Sequence, residues 1–499
     1  MAEPRRVKDY VPWADRRGAN RLSSKSCSRI PLYTVYFWLL MPMDATLHSK
    51  PATRELPRAI GFVASTAIVV GTVIGSGIFL VPHNVAMQVG TVRSLFLVWI
   101  VGGVLSLAGA LSLAELGTAM PEAGGVYVYL RAAYGKLFAF LYGWAMLLVI
   151  NSGAIATLAV AFSIYGASFF PLTVFEQRLL SSFVIALLTT VNVLGVRKGA
   201  AVQTIFTVAK LGGLAIIVAF ALLFSGVAAA SSSRPLPTPS TTPGSFGVAL
   251  VGVLWAYEGW HMLSFNAGEV KNPARILPRS YLLGMLVVVA AYLAANLAYL
   301  RVLPLSALAE HQRVAAKAME ILAGPRGATF VSVLILCSIF GALNGNVLGG
   351  PRAYYAMARD GVFFSAVGSV HSRFETPAVA ILIQGIWSIV LAVSGTFEQL
   401  YTYVIFTGWV FYGAATLAVV VLRHRQPQLQ RPYCVWGYPV VPVAFSVAAL
   451  AIVLNTLARS PKEALIGSGL VLLGIPIFLL WKRQASRRSP GAVHPVSLE

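Results

Sequence analysis

An acid and an imidazole stand within one of the apolar runs of this chain. In residues 246–268, Glu258, Gly259 and His261 interrupt a stretch that is otherwise mostly apolar. A charged side chain at the centre of a bilayer is disfavoured by about 3 kcal/mol or more, so it normally faces a polar partner or a water-lined path. These residues indicate either a binding site or a carboxylate bonded to a neighbouring helix or to Lys210; His261 fits an ordinary hydrogen-bonded histidine equally well.

A second apolar run, residues 58–82, contains three glycines within seven residues: Gly71, Gly75 and Gly77. Each glycine weakens a helix by about 1 kcal/mol relative to alanine, and Gly75-Ser76-Gly77 falls near the middle of the run. One interpretation is a helix break inside the membrane. The other is close packing against a neighbouring helix, which small residues permit.

Lys210 is a basic residue deep inside the apolar run 201–226. It lies about ten residues from the end of the run, too far for its side chain to reach an interface. A polar partner for its ammonium group is therefore expected within the protein.

Twelve apolar stretches are long enough to hold these residues in a membrane, since a spanning helix needs about 20 residues. Continuous apolar runs, rather than alternating strands, predict an all-α polytopic membrane protein and not a β-barrel. The predicted spans are residues 58–82, 94–117, 137–165, 178–196, 201–226, 246–268, 280–302, 328–357, 376–395, 398–422, 438–457 and 464–481.

The composition agrees with this class. Of the 499 residues, 57% are hydrophobic and 11% charged, and the mean hydropathy is +0.75. A soluble domain carries about 25% charged residues, so this chain cannot cover a water-facing surface. Cys27, Cys337 and Cys434 are far apart and lack metal-ligand spacing, so no disulfide framework, metal site or cofactor is predicted.

The net charge of +21 is distributed unevenly along the chain. If the N-terminus is cytoplasmic, 28 of the 38 Lys and Arg residues fall in cytoplasmic segments and nine fall outside. This bias predicts that both termini are cytoplasmic, and it explains the basic charge without a nucleic-acid partner.

The predicted organisation has two halves of five spans each, and spans one and six begin the two halves. Interrupted segments at corresponding positions of two halves indicate the central site of a transporter. Residues 1–42 are either a tail or the product of a wrongly assigned start, because Met41 or Met43 would begin a shorter tail, and they are expected to be dispensable. The proposed segments are a cytoplasmic tail (1–57), the first half (58–226), an external loop (227–245), the second half (246–422), two further spans (438–481) and a cytoplasmic C-terminal tail (482–499).

Several motifs carry a resemblance to a known family. They are Gly75-Ser76-Gly77-Ile78-Phe79 in span one, Ala114-Glu115-Leu116-Gly117 and Pro121-Glu122-Ala123-Gly124-Gly125-Val126-Tyr127 after span two, and Gly268-Glu269-Val270-Lys271-Asn272-Pro273 after span six. From about residue 55 to 480 the chain resembles the amino acid/polyamine/organocation superfamily, and within it the L-type amino acid transporter group and its bacterial relatives.

The resemblance implies the inverted repeat of leucine-type sodium symporters, with five plus five spans, two peripheral helices, and breaks in spans one and six. It implies that backbone N–H groups of Gly75, Ser76 and Gly77 hold the substrate carboxylate, as helix N-termini bind anions. Backbone carbonyls near Ile74 and Trp255 would meet the substrate ammonium, with Gly259 at the second break.

The same resemblance assigns roles to individual side chains. Trp255 would close over the substrate as a gate, unless it only fills core space, and Glu258 would extend selectivity from neutral to cationic amino acids. Lys210 would take the place that sodium occupies in sodium-coupled relatives, bonding to carbonyls near Gly71 or Gly75. Ser338 and Asn344 lie in a polar stripe that either faces Lys210 or makes helix-helix hydrogen bonds.

Glu115 and Glu269 lie at predicted cytoplasmic span ends. They are expected to form an inner gate or structural pairs with basic loop residues such as Arg352 and Arg359.

The predicted function is sodium-independent exchange of amino acids across the cell membrane, and not catalysis, because no paired carboxylates or His cluster stands at one membrane face. Proton-coupled symport through Lys210 is the alternative, and a non-transporting amino acid sensor is the remote one. The substrate and membrane lipid are the expected partners. Animal members of the group that the chain resembles pair with a heavy chain through a cysteine in the loop between spans three and four. Residues 166–177 contain no cysteine, so the resemblance implies no disulfide-linked heavy chain. The chain is predicted to be a monomer or a weak homo-oligomer.

Overall fold

The computed structural model describes residues 58–488, apart from residues 59, 123, 195, 225–240, 370, 372, 373 and 375. For residues 196–209 and 482–488 only the helical backbone is described. The predicted N-terminal tail with its alternative starts, most of the external loop and residues 489–499 lie outside the described residues.

The described part of the chain is helical, and its one strand-like contact is a bridge between Ile60 and Val270. In chain order the α-helices are α1 (Phe62–Val73), α2 (Gly77–Gln88), α3 (Val92–Ala119), α4 (Val126–Tyr134), α5 (Lys136–Ala145), α6 (Asn151–Gly166), α7 (Val174–Val193), α8 (Val196–Phe224), α9 (Pro243–Ala256), α10 (Met262–Phe265), α11 (Pro273–Val302), α12 (Leu305–Glu310), α13 (Val314–Gly349), α14 (Pro351–Arg359), α15 (Ala378–Ser394), α16 (Phe397–Arg425), α17 (Val440–Arg459), α18 (Pro461–Leu472) and α19 (Gly474–Arg488).

Eight helical segments of the described chain are long and apolar enough to cross a membrane, and the bent pair α1–α2 makes a ninth. Shorter apolar helices occupy Lys210–Phe224, Pro243–Ala256 and Ala378–Ser394, where the fifth, sixth and ninth spans are predicted. The part of the chain that the structure describes is thus all-helical and has several apolar spans, as predicted for a polytopic membrane protein.

Local sequence determines where several of these helices begin. Thr173, Thr242 and Thr396 each accept a hydrogen bond from the backbone N–H three residues later, and the side chain at that later position bonds back to the threonine N–H. These reciprocal capping boxes satisfy N–H groups that a helix start leaves without a partner. The starts of α7, α9 and α16 are therefore encoded in the chain itself.

Two apolar segments are each broken into a pair of helices within the bundle. α1 and α2 meet at a 43° bend over Ile74, Gly75 and Ser76. α9 ends at Ala256 and α10 begins at Met262, with Gly259 between them at a φ of +111°. The helix-break interpretation of both apolar runs is thus the one found in the structure.

The interrupted helices pack against each other and against unbroken ones. α2 packs against α9, and α1 packs against α10 and α11. The predicted third span is a continuous helical segment in which one π-helical turn, Met146–Ile150, joins α5 to α6. Single π turns are often found at functional sites, and Ile150 in this turn lines the cavity described next.

Candidate functional site

The two helix breaks face each other. Thr72 Oγ1, near the end of α1, donates to the Gly259 carbonyl oxygen over 3.1 Å. A Cβ atom on Gly259 would lie 2.8 Å from the Thr72 carbonyl oxygen, and the positive φ of Gly259 favours glycine in any case. Residue 259 therefore has to be glycine for the two breaks to approach this closely.

Lys210 contacts the first break. Its Nζ atom donates to the carbonyl oxygens of Gly71 at 2.7 Å and Ile74 at 2.9 Å, and its side chain is 1% exposed. The last carbonyls of a helix lack intrahelical partners and carry the negative end of its dipole. The ammonium group therefore satisfies and neutralises the open end of α1, and the predicted contact to carbonyls near Gly71 is confirmed.

The start of α2 presents N–H groups beside this ammonium. The first intrahelical bonds of α2 run from Phe79 and Leu80 to the Ser76 carbonyl oxygen, so the N–H groups of Gly77 and Ile78 precede them. The Ser76 hydroxyl is buried and has no hydrogen-bond partner in the part of the chain that the structure describes. This segment can offer several donors to one anionic group.

The two glycines of this segment, Gly75 and Gly77, differ in how closely other residues pack against them. A Cβ on Gly77 would lie 2.3 Å from the Cα of Ala256, so α2 and α9 could not approach as they do. A Cβ on Gly75 would meet only ordinary contacts, 3.5 Å from Ala342 Cβ and Leu158 Cδ2. Close packing, the second interpretation of the glycine pattern, thus applies to Gly77 and not to Gly75.

A cavity of about 30 Å³ lies between the breaks, α6 and α13. This space has room for water but not for an amino acid, so a larger ligand requires movement of the walls. Predicted site residues that line the cavity are Gly75, Ser76, Gly77, Trp255, Glu258 and Gly259. Ile74, Lys210, Ser338 and Asn344 are not among the described residues that line it.

Glu258 is held from one side only. Tyr412 on α16 donates to Glu258 Oε1 over 2.7 Å, and His261 Nδ1 lies 3.4 Å from the same oxygen. Glu258 Oε2 is buried and has no hydrogen-bond partner in the described chain. The carboxylate is bonded to a neighbouring helix, as one interpretation proposed, and its second oxygen is available to a ligand.

Trp255 connects the cavity to an aromatic cluster. Its ring is stacked on that of Tyr401, with centroids 6.4 Å apart and an interplanar angle of 20°, and it meets Phe397 edge-on. Asn84 on α2 donates to the Tyr401 hydroxyl over 3.1 Å. The Trp255 side chain therefore lies between the cavity and residues at the first turns of α16.

Tyr292, which was not predicted from the sequence, joins the two broken helices. Its hydroxyl lies 3.0 Å from the Val73 carbonyl oxygen and 2.8 Å from the Ala256 carbonyl oxygen, at the last residues of α1 and α9. One hydroxyl proton serves two carbonyls that the helix ends leave open. The only sequence signal was a tyrosine inside an apolar span, which is also typical of ordinary core packing.

Two polar residues of the cavity were also missed. Asn151 Nδ2 donates to Gln384 Oε1 over 2.8 Å and to the Asn346 carbonyl oxygen over 3.2 Å, and both asparagines line the cavity. Asparagine inside a transmembrane segment marks a polar path, and this signal was available in the sequence.

The two residues of the predicted polar stripe, Ser338 and Asn344, have different surroundings. Asn192 on α7 donates to Asn344 Oδ1 over 2.9 Å, which is the helix-helix interpretation. The Ser338 hydroxyl is buried and has no hydrogen-bond partner among the residues that the structure describes. The suggested contact of Lys210 with Ser338 is not found in the described chain; the ammonium group donates to the two carbonyls at the end of α1.

Both acidic residues at the predicted cytoplasmic span ends form pairs with basic residues. Glu269 lies 3.4 Å from Arg352, as expected. Glu115 accepts two hydrogen bonds from Arg423, at 2.8 and 2.7 Å, and one from the backbone N–H of Val435 at 2.7 Å. Glu115 thus pairs with a basic residue at the C-terminal end of α16, against which α3 packs, rather than with Arg352 or Arg359 on α14.

A bundle of apolar helices with a polar cavity between two facing helix breaks defines the chain as a membrane transport protein. A family model described as amino acid permease matches residues 60–480. The chain belongs to this amino acid permease family, which confirms both the predicted resemblance and the predicted transport of amino acids.

Three curated relatives show how close the similarity is. The chain is 32% identical to the serine/threonine exchanger SteT of Bacillus subtilis (strain 168), over 86% of this chain and 98% of that protein. It is 33% identical to the b(0,+)-type amino acid transporter 1 of Homo sapiens, over 87% and 89% of the two chains. It is 32% identical to the large neutral amino acids transporter small subunit 2 of Mus musculus, over 85% and 81%. All three are transporters or exchangers by name, not enzymes.

Proposed function

We propose that this protein exchanges amino acids across the cell membrane without sodium, by alternating access to the cavity between the helix breaks. The contact of Lys210 with the Gly71 and Ile74 carbonyls carries the proposal. A fixed ammonium group at the open end of α1 supplies the positive charge that a bound sodium ion would supply there. A relative named as a serine/threonine exchanger supports exchange over symport.

The substrate's α-carboxylate binds at the start of α2, where Gly75, Ser76 and Gly77 line the cavity. The N–H groups there and the positive end of the α2 dipole favour an anion. The substrate ammonium group binds near the carbonyls of Ile74 and Trp255, beside Gly259. The Ile74 carbonyl oxygen already accepts from Lys210, and its second lone pair remains for the substrate.

Glu258 determines which side chains are accepted. Its unpartnered oxygen and its position in the cavity wall suit a cationic side chain as well as a neutral one. Attraction between opposite charges is strong in a site that excludes water. Trp255 acts as the gate of the cavity on the side that faces Tyr401. This gate opens and closes during each transport cycle.

The architecture that fits this function is the five-plus-five inverted repeat with two peripheral helices, twelve spans in all. The charge bias of the loops supports cytoplasmic termini and insertion in the cell membrane. The chain works as a monomer or a weak homo-oligomer, without a disulfide-linked heavy chain, since the segment 166–177 contains no cysteine.

The test is uptake of a panel of radiolabelled amino acids into proteoliposomes that contain the purified chain. We expect uptake only when the vesicles hold internal amino acid, and equal uptake when choline replaces sodium. Uptake into empty vesicles driven by an acidic exterior would replace exchange with proton symport. Binding without any uptake would identify a sensor, and a requirement for a second subunit would overturn the partner proposal.

A further inference from the structure

A second and larger cavity lies away from the helix breaks. It is a cleft of about 490 Å³ where the first turns of α16 and α18, the last turns of α17 and part of α9 meet. Small-molecule sites commonly measure about 300–1,000 Å³. The cleft shares no lining residue with the central cavity, and the charge bias of the loops places it on the external side.

The floor of the cleft is buried and mixed in character. Tyr401, Thr402 and Thr456 are 3%, 7% and 2% exposed, and Val251 lies beside them. Tyr401 contributes an aromatic edge and the two threonines contribute methyl groups. A small organic ligand can therefore lose water against this floor.

The rim carries two acids and two bases. Glu398, Glu463, Arg459 and Lys462 all line the cleft, and none of them forms an ion pair within 4.0 Å in the described chain. Four charges of both signs that do not neutralise one another leave both a cationic and an anionic group available to a ligand.

Helix dipoles explain three of these charges but not the fourth. Glu398 and Glu463 lie in first turns and Arg459 lies in a last turn, where each is favourable. Lys462 lies in the first turn of α18, where a positive charge opposes the dipole. Lys462 therefore has no local structural benefit, which fits a role toward an anionic group.

The wall formed by α9 is shaped to admit polar side chains. Gly244 and Gly247 leave room on α9 for Arg459 and Asn455, whose side-chain nitrogens lie 2.2 and 2.4 Å from where a Cβ would be. The Asn455 amide nitrogen is buried and has no hydrogen-bond partner among the described residues. An unsatisfied donor in the cleft wall is costly unless a ligand or water accepts from it.

The cleft is connected to the gate through one residue. Tyr401 forms part of its floor, is stacked on Trp255, and accepts a hydrogen bond from Asn84 on α2. A ligand that presses on Tyr401 therefore acts on the side chain that closes the central cavity.

We propose that this cleft is an external binding site for a zwitterionic ligand with a primary ammonium and an acid group, and that Tyr401 transmits its occupancy to Trp255. The acid group binds at Arg459, Lys462 and the Asn455 amide, and the ammonium group binds at Glu398 and Glu463. A free amino acid and the headgroup of an ethanolamine phospholipid both have this chemistry. This inference rests on the proposed exchange function only in the second experiment below, where the exchange rate is the quantity measured.

The first arm measures binding of L-[¹⁴C]serine to the full chain in nanodiscs of phosphatidylcholine and phosphatidylglycerol. The measurement is repeated in the Lys210→Ala variant, in which the central site is impaired. Serine binding that remains in this variant is then assigned to the cleft, and no transport is needed to measure it. A free amino acid in the cleft predicts serine binding that survives in Lys210→Ala and weakens about tenfold or more when Arg459→Gln is added, as for loss of one charge-assisted contact. Exposed Arg178 supplies the control, because Arg178→Gln removes an equal charge from another predicted external helix end.

The second arm measures exchange in proteoliposomes with and without phosphatidylethanolamine. A lipid headgroup in the cleft predicts that this lipid changes the exchange rate of the wild type and of Arg178→Gln, but not that of Arg459→Gln or Glu463→Gln. The predicted result in either experiment supports the site and identifies its ligand. Wild-type behaviour of the cleft variants in both arms would overturn the proposal. Absence of exchange in every vesicle, with serine binding still sensitive to Arg459→Gln, would contradict the proposed function alone.

Discussion

The hydroxyl of Tyr412 donates a hydrogen bond to Glu258 Oε1 over 2.7 Å, and this bond joins α16 to the break between α9 and α10. The other oxygen of the same carboxylate has no partner among the described residues. Glu258 thus has one oxygen that is held and one that is available at the wall of the cavity.

Glu258→Gln should reduce uptake of lysine and arginine more than uptake of serine, because only a cationic side chain loses charge complementarity. We expect at least a tenfold change in the ratio of the two uptakes. Tyr412→Phe keeps the charge and should change this ratio less. Equal losses for cationic and neutral substrates in Glu258→Gln would show that the carboxylate has only a structural role.

Lys210→Ala should reduce exchange about a hundredfold or more. The substitution leaves the Gly71 and Ile74 carbonyls unsatisfied and removes the fixed charge at the end of α1. Exchange by the wild type should be the same in sodium and in choline. Arg178→Ala, which removes an exposed cation, controls for charge loss in general, and wild-type rates in Lys210→Ala would remove this residue from the mechanism.

Tyr292→Phe should slow exchange about tenfold, because the hydroxyl joins the last carbonyls of α1 and α9. Loss of a buried hydrogen bond costs about 1–3 kcal/mol. Tyr299→Phe is the matched control, since Tyr299 is buried on the same helix and its hydroxyl has no partner in the described chain. Equal rates in both variants would contradict a role for the bridge.

Glu115→Gln should lower the thermal stability of the protein in detergent more than Glu269→Gln does. The Glu115 carboxylate is 1% exposed and is bonded to Arg423 and to the Val435 N–H. Removal of one partner from a buried ion pair costs about 3–5 kcal/mol. The Glu269–Arg352 pair is partly exposed and longer, so its loss should cost much less; the reverse order of melting temperatures would contradict this prediction.

Gly77→Ala should destabilise the protein, because the new methyl group would lie 2.3 Å from the Cα of Ala256 and backbone would have to shift. Gly75→Ala should melt near the wild-type temperature, since its methyl group would make contacts of 3.5 Å. Overpacking typically costs about 1–3 kcal/mol. Melting curves in detergent test this difference without any transport assay, and similar curves for the two variants would contradict it.

Much of the fold and part of the cavity could be predicted from the sequence. Apolar runs identify membrane helices because lipid excludes unsatisfied backbone groups, and glycine clusters or ionisable residues inside such runs stand out for the same reason. Both helix breaks and the cavity residues Gly75, Ser76, Gly77 and Glu258 were found in this way, and the family resemblance added Trp255.

The partners of these residues were decided only by the tertiary structure. Tyr292 and Val73 are 219 positions apart, and Glu115 and Arg423 are 308 positions apart. Composition and spacing along the chain show which residues fit inside a membrane and which do not. This preference is a local property of the sequence. Which hydroxyl meets which carbonyl depends on how the helices pack, and packing joins residues that no periodicity in the chain connects.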